Sequence, residues 1–196
     1  SMEIAVFGAA GFVGRNLLDE LADTDHNVIA CDVEPIEDIS QNTEFREVDI
    51  TDEETVRDVV SEVDAIAHLA AHPLPASTED PKRNAEINVV GTLNILDAAR
   101  ENDIEKVFFS SASSLVGEVT QVPVPEDHPA HPQSPYGVAK HAVEEYLDVY
   151  QELYDLDYLV FRFFNVYGPY QHPESGALVP VVLSRLAQGK GVFVTG

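Results

Sequence analysis

The chain has 196 residues, enough for one domain with a substantial core, and 44% of them are hydrophobic, which excludes a disordered chain. Acidic residues outnumber basic ones by 35 to 11, so the net charge is −24. A field of that sign repels nucleic acid and anionic membrane surfaces. We therefore expect neither as a partner, and no apolar run is long enough to cross a bilayer.

The acidic residues are spread along the chain, so an acidic binding tail is the weaker interpretation of this charge. We favour a protein that stays soluble in concentrated salt, where screening within a few ångströms removes most of the self-repulsion, and hence a halophilic source. Cys31 is the only cysteine. No internal disulfide can form, which fits a reducing cytoplasm.

Apolar runs that predict strands alternate along the chain with amphipathic stretches that predict helices. The predicted strands are 3–7, 27–31, 45–48, 64–69, 106–110 and 158–163, and the predicted helices are 12–24, 52–61, 81–101 and 134–154. Thr51 is the predicted N-cap of the second helix, because Glu54 follows three residues later. Five prolines predict a loop over 122–135. The alternation predicts an α/β fold with a doubly wound, Rossmann-like parallel sheet.

The first strand runs directly into three spaced glycines, Gly8, Gly11 and Gly14. Gly8 allows a tight turn, Gly11 removes a side chain where backbone meets phosphate, and Gly14 lets the next helix lie close to the strand. Asp32 ends the next apolar run, at the place of the acidic residue in a dinucleotide-binding βαβ unit. The pattern predicts a dinucleotide site. An ordinary strand-end aspartate is the alternative for Asp32.

Tyr136 and Lys140 stand four residues apart, on one face of the last predicted helix. A lysine ammonium beside a tyrosine favours the phenolate and lowers the pKa of the phenol from about 10. Tyr136 is then expected to exchange a proton with a sugar hydroxyl. Alone, such a pair also fits an exposed helical turn. Because it follows a dinucleotide motif in an alternating α/β chain, we predict that it is catalytic.

These motifs together resemble an extended short-chain dehydrogenase/reductase of the NAD-dependent epimerase/dehydratase family. The matching segments, in the family's order, are 8–14, 49–50, 68–71, 88–94, 110–111, 136–140 and 162–169, which span nearly all of the chain. The resemblance implies NAD as the cofactor and a nucleotide-linked sugar as the substrate. The reaction implied first is that of a UDP-glucose 4-epimerase, in which a hydride leaves a ring carbon and returns to its opposite face.

The resemblance also implies roles for single positions. Cofactor contacts are expected at Gly8, Gly11, Phe12, Val13, Gly14, Asp32, Asp49, Ile50, Leu69, Ala70, Ala71, Asn88, Tyr136 and Lys140. Asp32 would bond the adenosine ribose and repel a 2′-phosphate, which favours NAD over NADP. Asp49 and Ile50 would flank the adenine. Asn88 would lie near Lys140, or else be an amide bonded to nearby backbone. Asn165 would touch the substrate, and Arg162 is expected to be structural. The histidines are scattered, so no metal site is expected.

One position departs from the family's pattern. Ala112 stands where the family carries Ser or Thr, so either Ser111 or Ser113 would contact the substrate. We favour Ser113, because a bulge easily offsets the end of an extended segment. Ser113 and Ser114 also replace the acid pair with which the family's dehydratases eliminate water. This favours epimerisation over dehydration. The alternatives are an NAD-dependent sugar or sugar-acid dehydrogenase and a non-catalytic NAD-binding protein.

Two predicted helices, near 85–100 and 134–153, carry broad apolar surfaces. A sheet covers one side of a helix, so either loops of the same chain or a second copy cover the rest. The resemblance favours a homodimer through these helices. We expect one NAD-binding domain over 1–196, with a substrate-binding region that begins near 165 and is cut short at the chain end, where 192–196 resemble a strand.

Overall fold

A six-stranded parallel sheet forms the centre of the computed structural model, which describes residues 1–175 and 177–191. The strands are β1 Glu3–Phe7, β2 Asn27–Asp32, β3 Thr43–Glu47, β4 Ala65–His68, β5 Lys106–Ala112 and β6 Tyr158–Phe163. Their spatial order is β3-β2-β1-β4-β5-β6, and each neighbouring pair is parallel. The predicted doubly wound sheet is confirmed. Its order reverses between β1 and β4, where open α/β sheets bind ligands at the carboxyl ends of the strands.

Helices lie between most of these strands, and one follows β6. They are α1 Phe12–Ala22, α2 Glu53–Val60, α3 Leu74–Glu79, α4 Pro81–Ala85, α5 Thr92–Glu101, α6 Pro135–Tyr154 and α7 Leu178–Ala187. A π-helical segment, Glu86–Gly91, joins α4 to α5, and single 3₁₀ turns cover Ser113–Leu115 and Pro173–Ser175. Within the described ranges, no helix has both the length and the apolar character needed to span a bilayer.

The hydrophobic core lies on both faces of the sheet, because successive strand residues point to opposite sides. On β1, Phe7 belongs to the larger cluster, with Ile95 of α5 and Leu147 of α6. The intervening residue Val6 belongs to the smaller cluster, with Leu18 of α1. The sheet is thus buried between two helical layers, as a purely parallel sheet requires.

Several predicted boundaries differ from those observed. The prediction of Thr51 as the cap of α2 is wrong: Asp52 caps it and accepts from the backbone N–H groups of Glu54 and Thr55. The Thr51 hydroxyl instead donates to Asp49, 2.7 Å away. The single helix predicted over 81–101 is interrupted by the π segment, and α3 and α7 were not predicted.

Pairing with the neighbouring strand determines where a strand begins and ends, more than the extent of the apolar run does. Strand β3 begins two residues earlier than predicted, because Thr43 pairs with Val28, and β5 extends to Ala112, which pairs with Phe163. The proline-rich stretch 122–135 is irregular up to α6, as predicted. The strand predicted over 192–196 lies outside the described residues.

Candidate active site

The glycine loop after β1 has room for backbone only. Gly8 has a φ of +84°, and a Cβ there would lie 2.6 Å from the Leu69 carbonyl carbon. A Cβ on Gly14 would lie 2.7 Å from the Cα of Ala9. No side chain among the described residues caps α1, which begins after Gly11 without an acidic residue in its first turn. Free N–H groups at such a helix start attract phosphate.

Asp32 lies at the carboxyl end of β2, next to this loop. One carboxylate oxygen accepts from the Ala10 N–H at 2.9 Å, and the other accepts from the Glu34 N–H at 3.0 Å. These bonds fix the carboxylate at the edge of the glycine loop. Each oxygen retains a lone pair for a further donor.

Asp49 and Ile50 follow β3 and are held by the elements around them. The backbone N–H and hydroxyl of Thr51 both donate to Asp49, at 2.9 and 2.7 Å. Partial burial acts to raise the pKa of Asp49, but these bonds and the charge of Arg83 lower it overall. Asn94 of α5 donates to the Ile50 carbonyl at 2.9 Å.

These groups surround one cavity of about 480 Å³ at the carboxyl ends of β1 to β4. The predicted cofactor residues that line it are Gly8, Gly11, Asp32, Asp49, Ile50, Leu69, Ala70 and Ala71. Sequence reasoning missed the remainder of the wall, which consists of Ala10, Cys31, Val33, Glu34, Val48, His72, Pro73, Arg83 and Ile87. Phe12 and Val13 lie in the first turn of α1, outside this lining.

Tyr136 and Lys140 occupy the first turns of α6, beside the carboxyl end of β5. Ser134 caps this helix by accepting from the Gly137 N–H. The side chain of Lys140 is buried, and its Nζ donates to the Ser110 carbonyl at 2.6 Å. The same nitrogen lies 4.6 Å from the ring centroid of Phe109 and 5.5 Å from that of Tyr136.

The expected lowering of the pKa of Tyr136 is wrong for this arrangement. Burial raises the pKa of its phenol, and burial lowers the pKa of Lys140 to about 7, although Glu144 acts in the opposite direction. The predicted effect requires an ammonium directed at the phenol. Here the ammonium hydrogen bond goes to the Ser110 carbonyl instead, and desolvation dominates both groups.

A buried polar chain connects β4 to the cavity wall. The imidazole Nε2 of His68 lies 2.7 Å from the Thr92 hydroxyl, and that hydroxyl donates to the Asn88 carbonyl at 2.8 Å. Burial, with a smaller effect of the Lys140 charge, lowers the pKa of His68 to about 3. His68 is therefore a neutral group beneath the site, and sequence reasoning gave neither it nor Thr92 a role.

Asn88 hydrogen-bonds to nearby backbone, which is the second of the two roles expected for it from the sequence. Its amide accepts from the His72 N–H at 2.6 Å and donates to the His72 carbonyl at 2.9 Å. These bonds fasten the segment after β4 to the π-helical segment, and π turns often occur at functional sites. Asn88 thus holds part of the cavity wall from behind without lining the cavity itself.

The serines around Ala112 differ in their environment. Ser111 is 2% exposed, and its hydroxyl has no hydrogen-bond partner among the described residues. Ser113 begins the 3₁₀ turn after β5 and is partly exposed. The carbonyl oxygen of Ser114 would lie 2.6 Å from a Cβ on Gly137, so this turn packs directly against the start of α6.

The segment after β6 returns to the glycine loop. Asn16 of α1 donates to the Pro169 carbonyl at 2.9 Å, and Phe12 packs near Gly168. Asn165 is exposed within this segment. Arg162 binds the Glu144 carboxylate at 2.6 Å, the structural role expected of it.

The comparisons with known proteins agree with this geometry. The model of the NAD dependent epimerase/dehydratase family matches residues 4–196. The UDP-glucose 4-epimerase of Mycolicibacterium smegmatis is 38% identical over 208 residues, which cover 100% of this chain and 66% of that protein.

Solved structures are similar over the same extent. The UDP-glucose 4-epimerase of Thermotoga maritima, crystallised with UDP-glucose, has a TM-score of 0.92 and 36% identity over 100% of this chain and 66% of that one. The UDP-glucose 4-epimerase of Thermus thermophilus, in complex with NAD, has a TM-score of 0.88 and 34% identity over 97% and 64%. The chain therefore spans about two thirds of the length of these relatives. A family match that runs from residue 4 to residue 196, on a fold shared with solved members, shows that the chain belongs to the NAD-dependent epimerase/dehydratase family.

Proposed function

We propose that the protein carrying this chain is an NAD-dependent epimerase of a nucleotide-linked sugar, with Tyr136 and Lys140 as its proton-transfer pair. The observation that carries the proposal is the position of this pair at the end of β5, adjacent to the dinucleotide cavity at the ends of β1 to β4.

The residues of the cavity fit NAD. The Gly8 and Gly14 backbones leave no space for a Cβ, and the start of α1 offers free N–H groups to a pyrophosphate. The Asp32 carboxylate is available to ribose hydroxyls and repels a 2′-phosphate, which favours NAD over NADP. When bound, NAD supplies a hydride acceptor and donor.

Tyr136 moves the proton that accompanies this hydride transfer. Its hydroxyl exchanges a proton with the sugar hydroxyl whose carbon is oxidised. The hydrogen bond to the Ser110 carbonyl holds the Lys140 ammonium beside β5, 5.5 Å from the centroid of the Tyr136 ring. From there its positive charge favours the phenolate only against the burial that raises the pKa of Tyr136. Since the pKa of Lys140 is about 7, the supply of this cation falls as the pH rises through neutrality.

Ser113 is the hydroxyl that we assign to the substrate, because it is partly exposed while Ser111 is buried. Replacing Ser113 with Ala should lower kcat at least tenfold. A positioned hydrogen bond contributes about 1.4 kcal/mol or more to stabilising the transition state, and about 1.4 kcal/mol corresponds to a factor of ten in rate. The matched Ser111→Ala variant should retain most of the activity. The reverse order of effects would assign the role to Ser111.

The substrate is a nucleotide-linked hexose, with a UDP-sugar as the first choice because the T. maritima relative was crystallised with UDP-glucose. Asn165 is the side chain proposed to touch the sugar or its diphosphate, since the segment that contains it packs on α1. An NAD-dependent sugar or sugar-acid dehydrogenase, which would use the same residues, is the alternative enzyme. A non-catalytic NAD-binding protein is the alternative favoured by Ala112.

One set of assays separates these three functions. UDP-, GDP- and dTDP-linked sugars are offered singly in concentrated salt, with absorbance followed at 340 nm and products separated by chromatography. An epimerase converts the sugar without net NADH, whereas a dehydrogenase accumulates NADH. Tyr136→Phe should abolish conversion, while Tyr154→Phe, at the other end of the same helix, should not. Activity that survives Tyr136→Phe would reject the catalytic assignment.

The protein is further proposed to form a homodimer through the helices near 85–100 and 134–153. Val90, Val138, Val149 and Leu153 are between 45% and 64% exposed on them, an apolar surface that a second copy would bury. Val149→Glu should shift the mass measured by light scattering from dimer to monomer. Val119→Glu, an equally exposed valine in the loop before α6, is the control and should leave the mass unchanged.

A halophilic cytoplasm is the proposed setting. The net charge of −24 destabilises the compact state by self-repulsion at low salt, and the single buried thiol needs no oxidising compartment. The melting temperature should therefore rise steeply between 0.2 and 2 M KCl. A melting temperature that is constant over this range would refute the adaptation to salt.

A further inference from the structure

Among the described residues that line the 480 Å³ cavity, Arg83 is the only lysine or arginine. It lies on α4, and Ile87, one turn later, lines the same wall. The carboxylates on that wall, Asp32, Glu34 and Asp49, all carry the opposite charge. A dinucleotide with an anionic pyrophosphate thus meets this single cationic side chain on the lining.

The guanidinium of Arg83 is only loosely held. It lies 3.7 Å from an Asp49 carboxylate oxygen and 3.5 Å from a Glu86 oxygen. Both separations exceed the length of a good hydrogen bond. The side chain is 43% exposed, so moving it breaks no buried contact and costs little.

The residues opposite Arg83 are fixed. Asp49 receives two hydrogen bonds from Thr51, and the Ile50 carbonyl accepts from Asn94. Gly91 allows the Ile50 side chain to lie against the end of the π-helical segment, since a Cβ there would be 2.7 Å from Ile50 Cγ1. This end of the cavity therefore combines a rigid apolar and acidic floor with a movable planar cation.

That combination suits a purine. The exocyclic amine of adenine donates to a carboxylate, its ring packs on an aliphatic side chain, and a guanidinium stacks on the face of a flat π system. We propose that Arg83 binds the adenosine half of NAD. Its guanidinium stacks on one face of the adenine, the Ile50 side chain packs on the other face, and the Asp49 carboxylate accepts a hydrogen bond from the exocyclic amine. This inference rests on the proposed function, because it takes NAD as the ligand.

A stacking cation contributes enough to be measured. Cation–π contacts at partly desolvated sites correspond to a change in Kd of roughly 5- to 30-fold. Arg83→Gln should weaken NAD binding by that factor, and Arg83→Lys, which keeps the charge but loses the planar group, should fall between. Because the side chain is half exposed, neither variant should alter folding measurably.

Lys82 provides a matched control. It lies beside Arg83 on α4, carries the same charge and pairs with the same Glu86, but it is 87% exposed and does not line the cavity. Titration calorimetry of the 196-residue chain with NAD, AMP and nicotinamide mononucleotide then localises the effect. The titrations are run at 0.5 and 2 M KCl, because screening removes general charge effects.

The expected result is that Arg83→Gln weakens NAD and AMP alike at both salt concentrations, while Lys82→Gln changes neither by more than about twofold. An equal effect of both variants, or a loss for Arg83→Gln that disappears at 2 M KCl, overturns the inference in favour of general electrostatics. NAD binding unchanged in Arg83→Gln overturns the inference alone. Wild-type chain that binds no NAD overturns the proposed function and the inference together.

Discussion

The buried cation of Lys140 should make the stability of this chain rise with pH just above neutrality. Burial lowers the pKa of Lys140 from its usual 10.5 to about 7 in the folded state. Between these two values the unfolded chain keeps the proton that the folded chain releases. The unfolded state then binds more protons, and the free energy of unfolding increases with pH.

The size of the increase follows from the same two pKa values. From pH 7 to 8.5, the difference in proton binding amounts to about 1.5 kcal/mol for one group with this shift. The range stops at 8.5 because the Cys31 thiol begins to ionise above this pH in the unfolded chain, whereas burial raises its pKa to about 12 in the folded chain. Above pH 8.5 the folded chain therefore holds a proton that the unfolded chain releases, and this lowers the free energy of unfolding. Below pH 7, His68 would add to the slope, because burial lowers its pKa to about 3 in the folded chain and only the unfolded chain then takes up the proton.

Urea unfolding at constant ionic strength measures this slope directly. Lys140→Met keeps the length and apolar volume of the side chain but cannot titrate, so its stability should vary by less than about 0.5 kcal/mol over the same range. Tyr136→Phe should keep the wild-type slope. Two results would refute the assignment of a buried lysine with a pKa near 7. One is a wild-type chain whose free energy of unfolding is constant from pH 7 to 8.5, and the other is a slope that persists in Lys140→Met.

Three further outcomes are expected. Gly14→Ala should lose NAD binding and at least about 2 kcal/mol of stability, because its Cβ has no space against the loop after Gly8; calorimetric titration that still detects NAD would contradict this. Thr92→Val should cost about 1–3 kcal/mol in urea unfolding by leaving His68 without its partner, and Thr92→Ser should restore most of it. The Cys31 thiol is buried, so Ellman's reagent should label it at least 100-fold faster in urea than in the native chain, and equal rates would show an open site.

The local motifs of the site could be predicted from the sequence because each depends on a short stretch of backbone. The glycine loop, Asp32 at the end of β2 and the pair Tyr136 and Lys140 all follow from spacing along one element. The parallel sheet follows from the alternation of apolar runs. These predictions required no knowledge of which residues meet across the fold.

The errors arose where a distant partner decides the outcome. The residues around Thr51 match the pattern of a helix N-cap, but its hydroxyl donates to Asp49 instead. Asp52 is the N-cap of α2. The π-helical segment is stabilised by Asn88, whose partner His72 lies 16 residues away. Propensity within a window cannot anticipate such contacts, because tertiary bonds outweigh intrinsic preferences of less than 1 kcal/mol.

The electrostatics of the site also depended on the fold. A tyrosine and a lysine four residues apart predict an acidified phenol, but the strength of that effect depends on burial and on where the ammonium points. Lys140 reaches across 30 residues to the Ser110 carbonyl, and Arg83 joins the cavity wall beside Asp49, to which the fold brings it from a distant part of the sequence.

Sequence by itself determined the family, the sheet and the dinucleotide loop, and it placed Tyr136 and Lys140 on one face of α6, because these depend on backbone geometry and on residues close together in the chain. Tertiary structure decided which groups are desolvated, which hydrogen bonds they make and hence how their pKa values shift. The physical reason is that a charge responds to every group within several ångströms, and in a folded chain most of those groups are far away in sequence.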